Sequence, residues 1–343
     1  MRFGQYLKWF VSGEAGTFLR MSRDMKGYYR MCFLAQAGKH GLLRALADRS
    51  RDADELLAVL RLPSQRMPGL KAFLHLGLTL GELACRDGRY SLKGRQSRAL
   101  AKTAFDHYLG LAEEVSGLHG PYIAAALDHE DHGQELVAVS DAHAEAIVRS
   151  SRVAQPLLQD VMDRLVPLHG DFELLEVGSG TGVYLRHALV RNPSLRAVGV
   201  ERERPIAQTL RDRLLHEGLS ERAEGVAKDM RELDYRERFD CITLFNNIYY
   251  FPEEGHEALL RLLLSWLKPG GTLAVATLCR DGGYPIDALL HLWSALTPGA
   301  SVLPDPAAFT SLMAGVGYEA KAVTPSIIDP AMKVFVGVKP HRA

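Results

Sequence analysis

Leu174-Leu175-Glu176-Val177-Gly178-Ser179-Gly180-Thr181-Gly182 is the stretch on which the reading of this chain turns. A short apolar run carries a carboxylate near its end, and three glycines follow at alternate positions. Val183 to Arg191 then reads as a helix. Such a strand–turn–helix lets a ligand approach the backbone, because glycine has no Cβ and tolerates a tight turn. A dinucleotide fold would set GxGxxG here for a pyrophosphate at the helix N-terminus. The spacing found is GxGxG with an acid before it, which favours a cofactor bearing an amine and a carboxylate over a pyrophosphate. Glu176, Gly178, Ser179, Gly180 and Gly182 are the first cofactor-binding candidates.

Downstream, Leu195 to Val200 predicts a second strand ending at Glu201, 19 residues after Gly182. An acid there can accept from both hydroxyls of a ribose. The plainer reading of Glu201 is a helix-capping acid in the charged segment 201–204. After a third strand near Ala223–Val226, Asp229 can accept an adenine amino group and Met230 can pack on the ring. Phe239 to Phe245 predicts the fourth strand, with Asn246 to Phe251 at its C-terminal edge, where ligands of open α/β sheets bind. Phe245 and Asn246 join the cofactor candidates. Leu259 to Leu267 reads as a helix, and Lys268-Pro269-Gly270-Gly271 turns into a strand at Thr272–Ala276. This alternation from residue 171 onward predicts an α/β fold with a mainly parallel sheet.

Upstream the texture changes. Residues 1–165 are helix-like, and Pro167 with Gly170 marks a boundary before a second domain at 171–343. Phe33 to Ala47 reads as an amphipathic helix, Asp52-Ala53-Asp54-Glu55 as a capped helix start, and Gln65 to Leu76 as a third helix. Leu80 to Leu92 predicts a hairpin around Arg86-Asp87-Gly88-Arg89. Three helices and a hairpin is the winged-helix order. The third helix offers only Arg66, Lys71 and His75, short of the dense basic face that DNA reading needs, so packing or dimerisation is expected. The opening helix, Phe18 to Met31, sets Arg20, Arg23, Lys26 and Arg30 among Tyr28, Tyr29, Met21 and Met25. It is either a solvated cationic face over an apolar stripe or part of a pocket for an anionic substrate.

Composition narrows the function classes. The 343 residues carry 41 basic and 41 acidic side chains, so net charge gives no reason to expect nucleic acid or an anionic membrane as partner. Cys32, Cys85, Cys241 and Cys279 form no CxxC pair and read as reduced thiols of a cytoplasmic protein. The start, Met1 to Lys8, lacks the pattern of a secretory signal, and no uncharged apolar stretch reaches about 18 residues.

The glycine motif, Glu201, the Asp229-Met230 pair, the fourth strand and Leu267-Lys268-Pro269-Gly270-Gly271 come in an order that resembles class I S-adenosylmethionine (SAM)-dependent methyltransferases, over about residues 171–339. With its helical, winged-helix-like first half, the chain is similar to the acetylserotonin and plant-type small-molecule O-methyltransferases. The resemblance implies a Rossmann-like catalytic domain, SAM as cofactor, a small-molecule substrate, and a first half that makes an intertwined homodimer and closes over the substrate. It also implies that Arg149, Ser150 and Arg152 lie near the cofactor.

One segment departs from the pattern. The relatives carry Leu-His-Asp-Trp after the fourth strand, with its His as general base. Here the positions read Ile248-Tyr249-Tyr250-Phe251, and Tyr249 stands where the base is expected. A tyrosine of pKa about 10 is a poor base near neutrality. Tyr249 and Tyr250 are the catalytic candidates, since in-line methyl transfer draws mainly on alignment and a ring can face a sulfonium. An acceptor needing little deprotonation is expected: a thioether, a tertiary amine or an acidic phenol. Bacterial S-methyltransferases of dimethylsulfoniopropionate synthesis share this architecture, which makes the thioether of 4-methylthio-2-hydroxybutyrate a specific candidate. Arg20, Arg23, Arg30, Tyr29 and Arg149 are then the substrate candidates, the arginines suiting its carboxylate. Alternatives are an O- or N-methyltransferase of a bacterial natural product, and a non-catalytic SAM-binding or winged-helix regulatory protein. His143, His256 and His291 are other possible bases. The crowded Asp128-His129-Glu130-Asp131-His132 suits a solvated connection better than a metal site, and no metal is expected.

Overall fold

The computed structural model describes residues 10–129, 132–280, 282–283, 285–325 and 330–341. The chain forms two compact units, Met1–Ala124 with Val137–Val153, and Ala125–Leu136 with Ala154–Ala343.

The first part of the chain runs α1 (Glu14–Lys39), α2 (Leu42–Asp48), α3 (Ala53–Val59), α4 (Met67–Thr79), the hairpin β1 (Leu83–Arg86) and β2 (Arg89–Leu92), α5 (Arg95–Leu100), α6 (Asp106–Gly117), α7 (His119–Ala125), α8 (Gly133–Ala142) and α9 (Ala144–Ser150). Phe33, Leu43, Leu56, Leu74 and Leu83 are buried together at the centre of the first unit. Asp52 and Glu55 make the expected capping box on α3, Glu55 N–H donating to Asp52 Oδ1 at 2.8 Å and Asp52 N–H to Glu55 Oε2 at 3.0 Å. The helix boundaries differ from the sequence reading. Nothing between Met31 and Phe33 breaks the helix, so α1 runs on to Lys39. The stop comes at Gly41, whose φ of +81° is the left-handed turn that glycine adopts without strain.

The second unit is a three-layer α/β/α sandwich. Its elements are α10 (Gln155–Leu165), β3 (Phe172–Val177), α11 (Val183–Arg191), β4 (Leu195–Val200), α12 (Arg204–His216), β5 (Ala223–Val226), β6 (Phe239–Phe245), α13 (His256–Trp266), β7 (Leu267–Leu278), α14 (Pro285–Leu296), α15 (Pro306–Val316), β8 (Glu319–Val323) and β9 (Met332–Val338). Their order in the sheet is β5-β4-β3-β6-β7-β9-β8. The strands from β5 to β7 are parallel, and β9 is antiparallel to both β7 and β8. The expected α/β fold with a mainly parallel sheet is therefore present.

Strand alternation sorts the core into two layers. Leu175, Val177, Ile242 and Leu244 face α13 and α15, where Trp266 and Met313 are fully buried. Leu174, Cys241, Ala274 and Ala276 face α10, α11 and α12. From β3 the chain runs outward through β4 and β5, then crosses back to place β6 on the other side of β3, so the strand order reverses at β3. In open α/β sheets the crevice outside the carboxyl ends of the strands at this point receives the ligand.

Candidate functional site

Three glycines shape the turn at that crevice. Gly178, Gly180 and Gly182 have φ of +66°, +53° and +75°. Gly178 N–H and Ser179 N–H both donate to Val200 O, at 2.8 and 3.0 Å, which ties the turn to the end of β4. The glycines answer different needs. A Cβ on Gly182 would lie 2.3 Å from Leu210 Cδ1, and one on Gly178 would lie 1.7 Å from Asn247 Nδ2. A Cβ on Gly180 would meet nothing within 4 Å, so space at Gly180 is open to a ligand. The Ser179 hydroxyl is buried within the turn and has no hydrogen-bond partner among the described residues.

Glu176 lies near the end of β3. Its side chain turns inward, is 3% exposed, and its Oε2 accepts from Leu185 N–H at 2.9 Å, supplying a cap to the first turn of α11. Burial, with help from the negative charge of Glu201, pushes its carboxyl up to about 8, against the pull of the Leu185 N–H. Tyr184 lies beside it, and burial together with the Glu176 charge raises the Tyr184 phenol well above its ordinary value. The Tyr184 ring meets Phe245 edge-on at 5.4 Å.

Glu201 stands at the end of β4 and accepts Gly180 N–H at 3.1 Å on one oxygen and Glu203 N–H at 3.0 Å on the other. It thus holds the glycine turn and also the bend before α12. A carboxylate has about four acceptor positions, so these two bonds leave capacity for hydroxyl donors. Asp229 is engaged by its neighbour: Arg231 donates to it from Nε at 2.9 Å, Nη2 at 2.6 Å and the backbone at 2.9 Å. The Arg231 guanidinium holds the Asp229 carboxyl below the usual carboxylate range. Met230 is 4% exposed and sits in the core with Val177, Val200 and Ile248.

At the end of β6, Phe245 is buried and Asn246 adopts φ +50°, its N–H donating to Ala276 O at 2.7 Å. Asn247 donates from Nδ2 to Val177 O at 3.2 Å. Tyr249 and Tyr250 follow in a short 3₁₀ turn and form an aromatic group with Trp293 of α14, with centroids 5.9 Å and 6.0 Å from the indole. Tyr250 is 57% exposed. Sequence reading gave no role to Asn247, Tyr184 or Trp293. Asn247 could have been found from its place just beyond β6, whereas Trp293 comes from a helix that no motif marks.

The histidines occupy other settings. His256 is buried and its Nε2 donates to Phe251 O at 3.0 Å. His143, in the first unit, donates from Nδ1 to Val139 O at 2.9 Å. His291 is two residues before Trp293 on α14; at 3.6 residues per turn the two point about 200° apart, away from one another. His132 is held by Asp128 at 3.0 Å and Glu135 at 2.9 Å, while Glu130 and Asp131 lie outside the described residues.

The substrate candidates of the first unit divide. Arg20, Arg23 and Tyr29 lie on exposed parts of α1, with Arg23 near Asp24 at 3.8 Å. Arg30 turns inward instead, 3.3 Å from Glu82 and donating to Leu80 O at 3.2 Å. Arg149 pairs with Glu113 at 2.6 Å and Asp106 at 3.6 Å. Burying a carboxylate is costly unless it is paired, and Glu113 and Glu82 are both buried, which explains why these two arginines are drawn to them.

A parallel sheet with a glycine turn and an acid-tipped neighbouring strand at its switch point has the geometry of a nucleotide-cofactor site. The methyltransferase-domain family matches residues 150–323, half of the chain, and the chain belongs to that family. It is 26% identical over 260 residues to the demethylspheroidene O-methyltransferase of Rhodobacter capsulatus, covering 73% of this chain and 61% of that one. It is 35% identical over 107 residues to a cypemycin N-terminal methyltransferase of a Streptomyces species, covering 31% of this chain and 41% of that one. The matches thus span less than two thirds of these relatives' length. Among solved structures, the mitomycin 7-O-methyltransferase MmcR shares the fold with a TM-score of 0.77 at 17% identity, over 96% of this chain and 99% of that one. Human N-acetylserotonin methyltransferase, in complex with SAM, does so with a TM-score of 0.66 at 15% identity, over 94% and 98%.

Proposed function

We propose that the chain transfers the methyl group of SAM to an oxygen of a small molecule, an acidic hydroxyl such as a phenol. The observation that carries this reading is the convergence on one sheet edge of the open glycine at 180, the partnerless Ser179 hydroxyl and the Glu201 carboxylate 3.1 Å from Gly180 N. These groups suit SAM: backbone for its amino-acid end and a carboxylate for its ribose. Asp229 would take the adenine amino group in exchange for Arg231. Bound there, SAM supplies a methyl group on a positively charged sulfur.

The chain's own residues have two tasks. The glycine turn fixes one reactant, and the Tyr249-Tyr250-Trp293 rings form an electron-rich wall for the other. The C–O bond forms as the C–S bond breaks, and the electron pair stays on sulfur. Tyr249 supplies no base near neutrality, so the hydroxyl proton must leave to solvent beforehand, which selects acidic hydroxyls. The oxygen reading is favoured by the similarity to an O-methyltransferase over 73% of the chain. The carboxylate-bearing thioether is the less favoured acceptor, because Arg30 and Arg149 are already paired with Glu82 and Glu113.

The same reading extends to the assembly. The first unit acts as a dimerisation and lid domain with a winged-helix element, and the protein is a cytoplasmic homodimer. Supporting it, α1 exposes Phe18, Met21, Met25 and Tyr28 along one side, an apolar face suited to a second copy. The test is methyl transfer from labelled SAM to 4-nitrocatechol, 4-methylthio-2-hydroxybutyrate and a tertiary amine. Label in a new methyl ether of the phenol is expected. Transfer to the thioether alone would move the acceptor to sulfur, and SAM binding with no transfer to any acceptor would favour a regulatory protein.

A further inference from the structure

The two halves of the proposed site come from different strands. The glycine turn follows β3, and the aromatic segment at Tyr249 follows β6. One side chain joins them. Asn247 donates from Nδ2 to Val177 O, the carbonyl that opens the glycine turn, at 3.2 Å. Its amide also lies over the Cα of Gly178, where a Cβ would come within 1.7 Å of Nδ2 and 2.7 Å of Cγ. The opposite side of the same turn is fixed by Val200 O, which accepts Gly178 N–H at 2.8 Å and Ser179 N–H at 3.0 Å. The entry to the turn is thus gripped from β4 by backbone and from β6 by Asn247 alone among the described side chains. Asn247 is itself held, because Asn246 before it is locked at φ +50° with its N–H on Ala276 O at 2.7 Å. Two residues beyond, Tyr249 is fixed by its carbonyl, which accepts Ser301 N–H at 2.8 Å.

From this geometry we infer that Asn247 is a positioning residue that couples the glycine turn to the Tyr249-Tyr250 segment, so that occupancy of the turn sets the placement of the acceptor wall. The inference rests on the SAM reading of the turn. The amide suits this task where other side chains do not. It needs a donor toward Val177 O and a flat, short shape against Gly178. Asp has the shape without the donor, and its charge repels the carbonyl. Ala has neither.

The experiment uses the full chain with SAM itself as probe. Affinity is read by calorimetry, and SAM-induced amide-exchange protection is read by mass spectrometry over residues 178–182 and 248–251. In the wild type, SAM slows exchange in both segments. In Asn247→Asp, SAM is expected to bind within about three-fold of wild type and still protect 178–182, while the added protection at 248–251 falls at least three-fold. Asn247→Ala should behave alike, which keeps the test usable should the Asp variant fail to fold. Equal protection of 248–251 in wild type and variants would overturn the coupling. Loss of SAM binding in both variants would also overturn it, leaving Asn247 a support of the turn alone. Wild-type protein that takes up no SAM would instead reject the reading of the site, and the coupling with it.

Discussion

Replacing Glu176 with glutamine should make the protein more stable at alkaline pH and leave it unchanged near pH 5. The carboxyl is buried, and its folded-state value is raised from 4.5 to about 8, chiefly by desolvation. At 1.36 kcal/mol per unit such a rise corresponds to about 5 kcal/mol, an upper figure because water entering a loosened turn reduces it. The sign follows from linkage. A folded-state value above the unfolded one means that the stabilising contribution is complete below about pH 4.5 and is lost as pH rises through about 8. Glutamine keeps a carbonyl oxygen for Leu185 N–H, the bond that Glu176 accepts at 2.9 Å, and removes the titration. Urea unfolding at pH 5, 7 and 9 should therefore show a gap that opens with pH, by about 1.4 kcal/mol per unit at most, to about 2–5 kcal/mol at pH 9. A gap that is constant across this range would refute the burial argument. A variant less stable at every pH would show that the acid serves as a charged cap.

Three other outcomes are expected. Gly178→Ala combines a positive φ with a Cβ 1.7 Å from Asn247, and should cost about 2 kcal/mol or more in unfolding free energy, together with SAM affinity by calorimetry. Asp229→Ala should weaken SAM binding by about 1–3 kcal/mol, whereas Arg231→Ala, which frees the same carboxylate from an exposed partner, should tighten it by up to about five-fold; the same direction in both variants would contradict the exchange of Arg231 for adenine. Arg149→Ala leaves the buried Glu113 without its cation and should lower stability by about 2–4 kcal/mol in urea melts, with the effect reduced in Arg149→Ala, Glu113→Leu.

The parallel core was legible because its signals are local. Leu195–Val200 and Phe239–Phe245 are apolar runs bounded by turn residues, and they become β4 and β6 with those limits. The glycines announced the turn because no other residue takes their φ values without strain. The closing strands β8 and β9 were not read: Glu319–Val323 alternates, but its apolar positions are two small alanines and a valine, and Met332–Val338, although rich in valine, belongs to no motif that the reading followed. At the site, Glu201 was read by its position at the end of a strand. Side-chain direction was beyond reach: Glu176 turns in to cap α11, and Met230 turns into the core. The pairing of Arg30 and Arg149 was beyond reach too, because a sequence does not show that Glu82 and Glu113 are buried beside them. Trp293 was missed because its partners, Tyr249 and Tyr250, lie more than forty residues earlier in the chain.

The central claim is that the crevice at the carboxyl ends of β3, β4 and β6 holds SAM. A crystal structure of the full chain with S-adenosylhomocysteine tests it most directly. The account predicts the ligand's amino-acid end against the backbone of Gly178 to Gly182, and its ribose hydroxyls within hydrogen-bond distance of the Glu201 carboxylate. A ligand bound elsewhere, or bound here with its ribose away from Glu201, would contradict it.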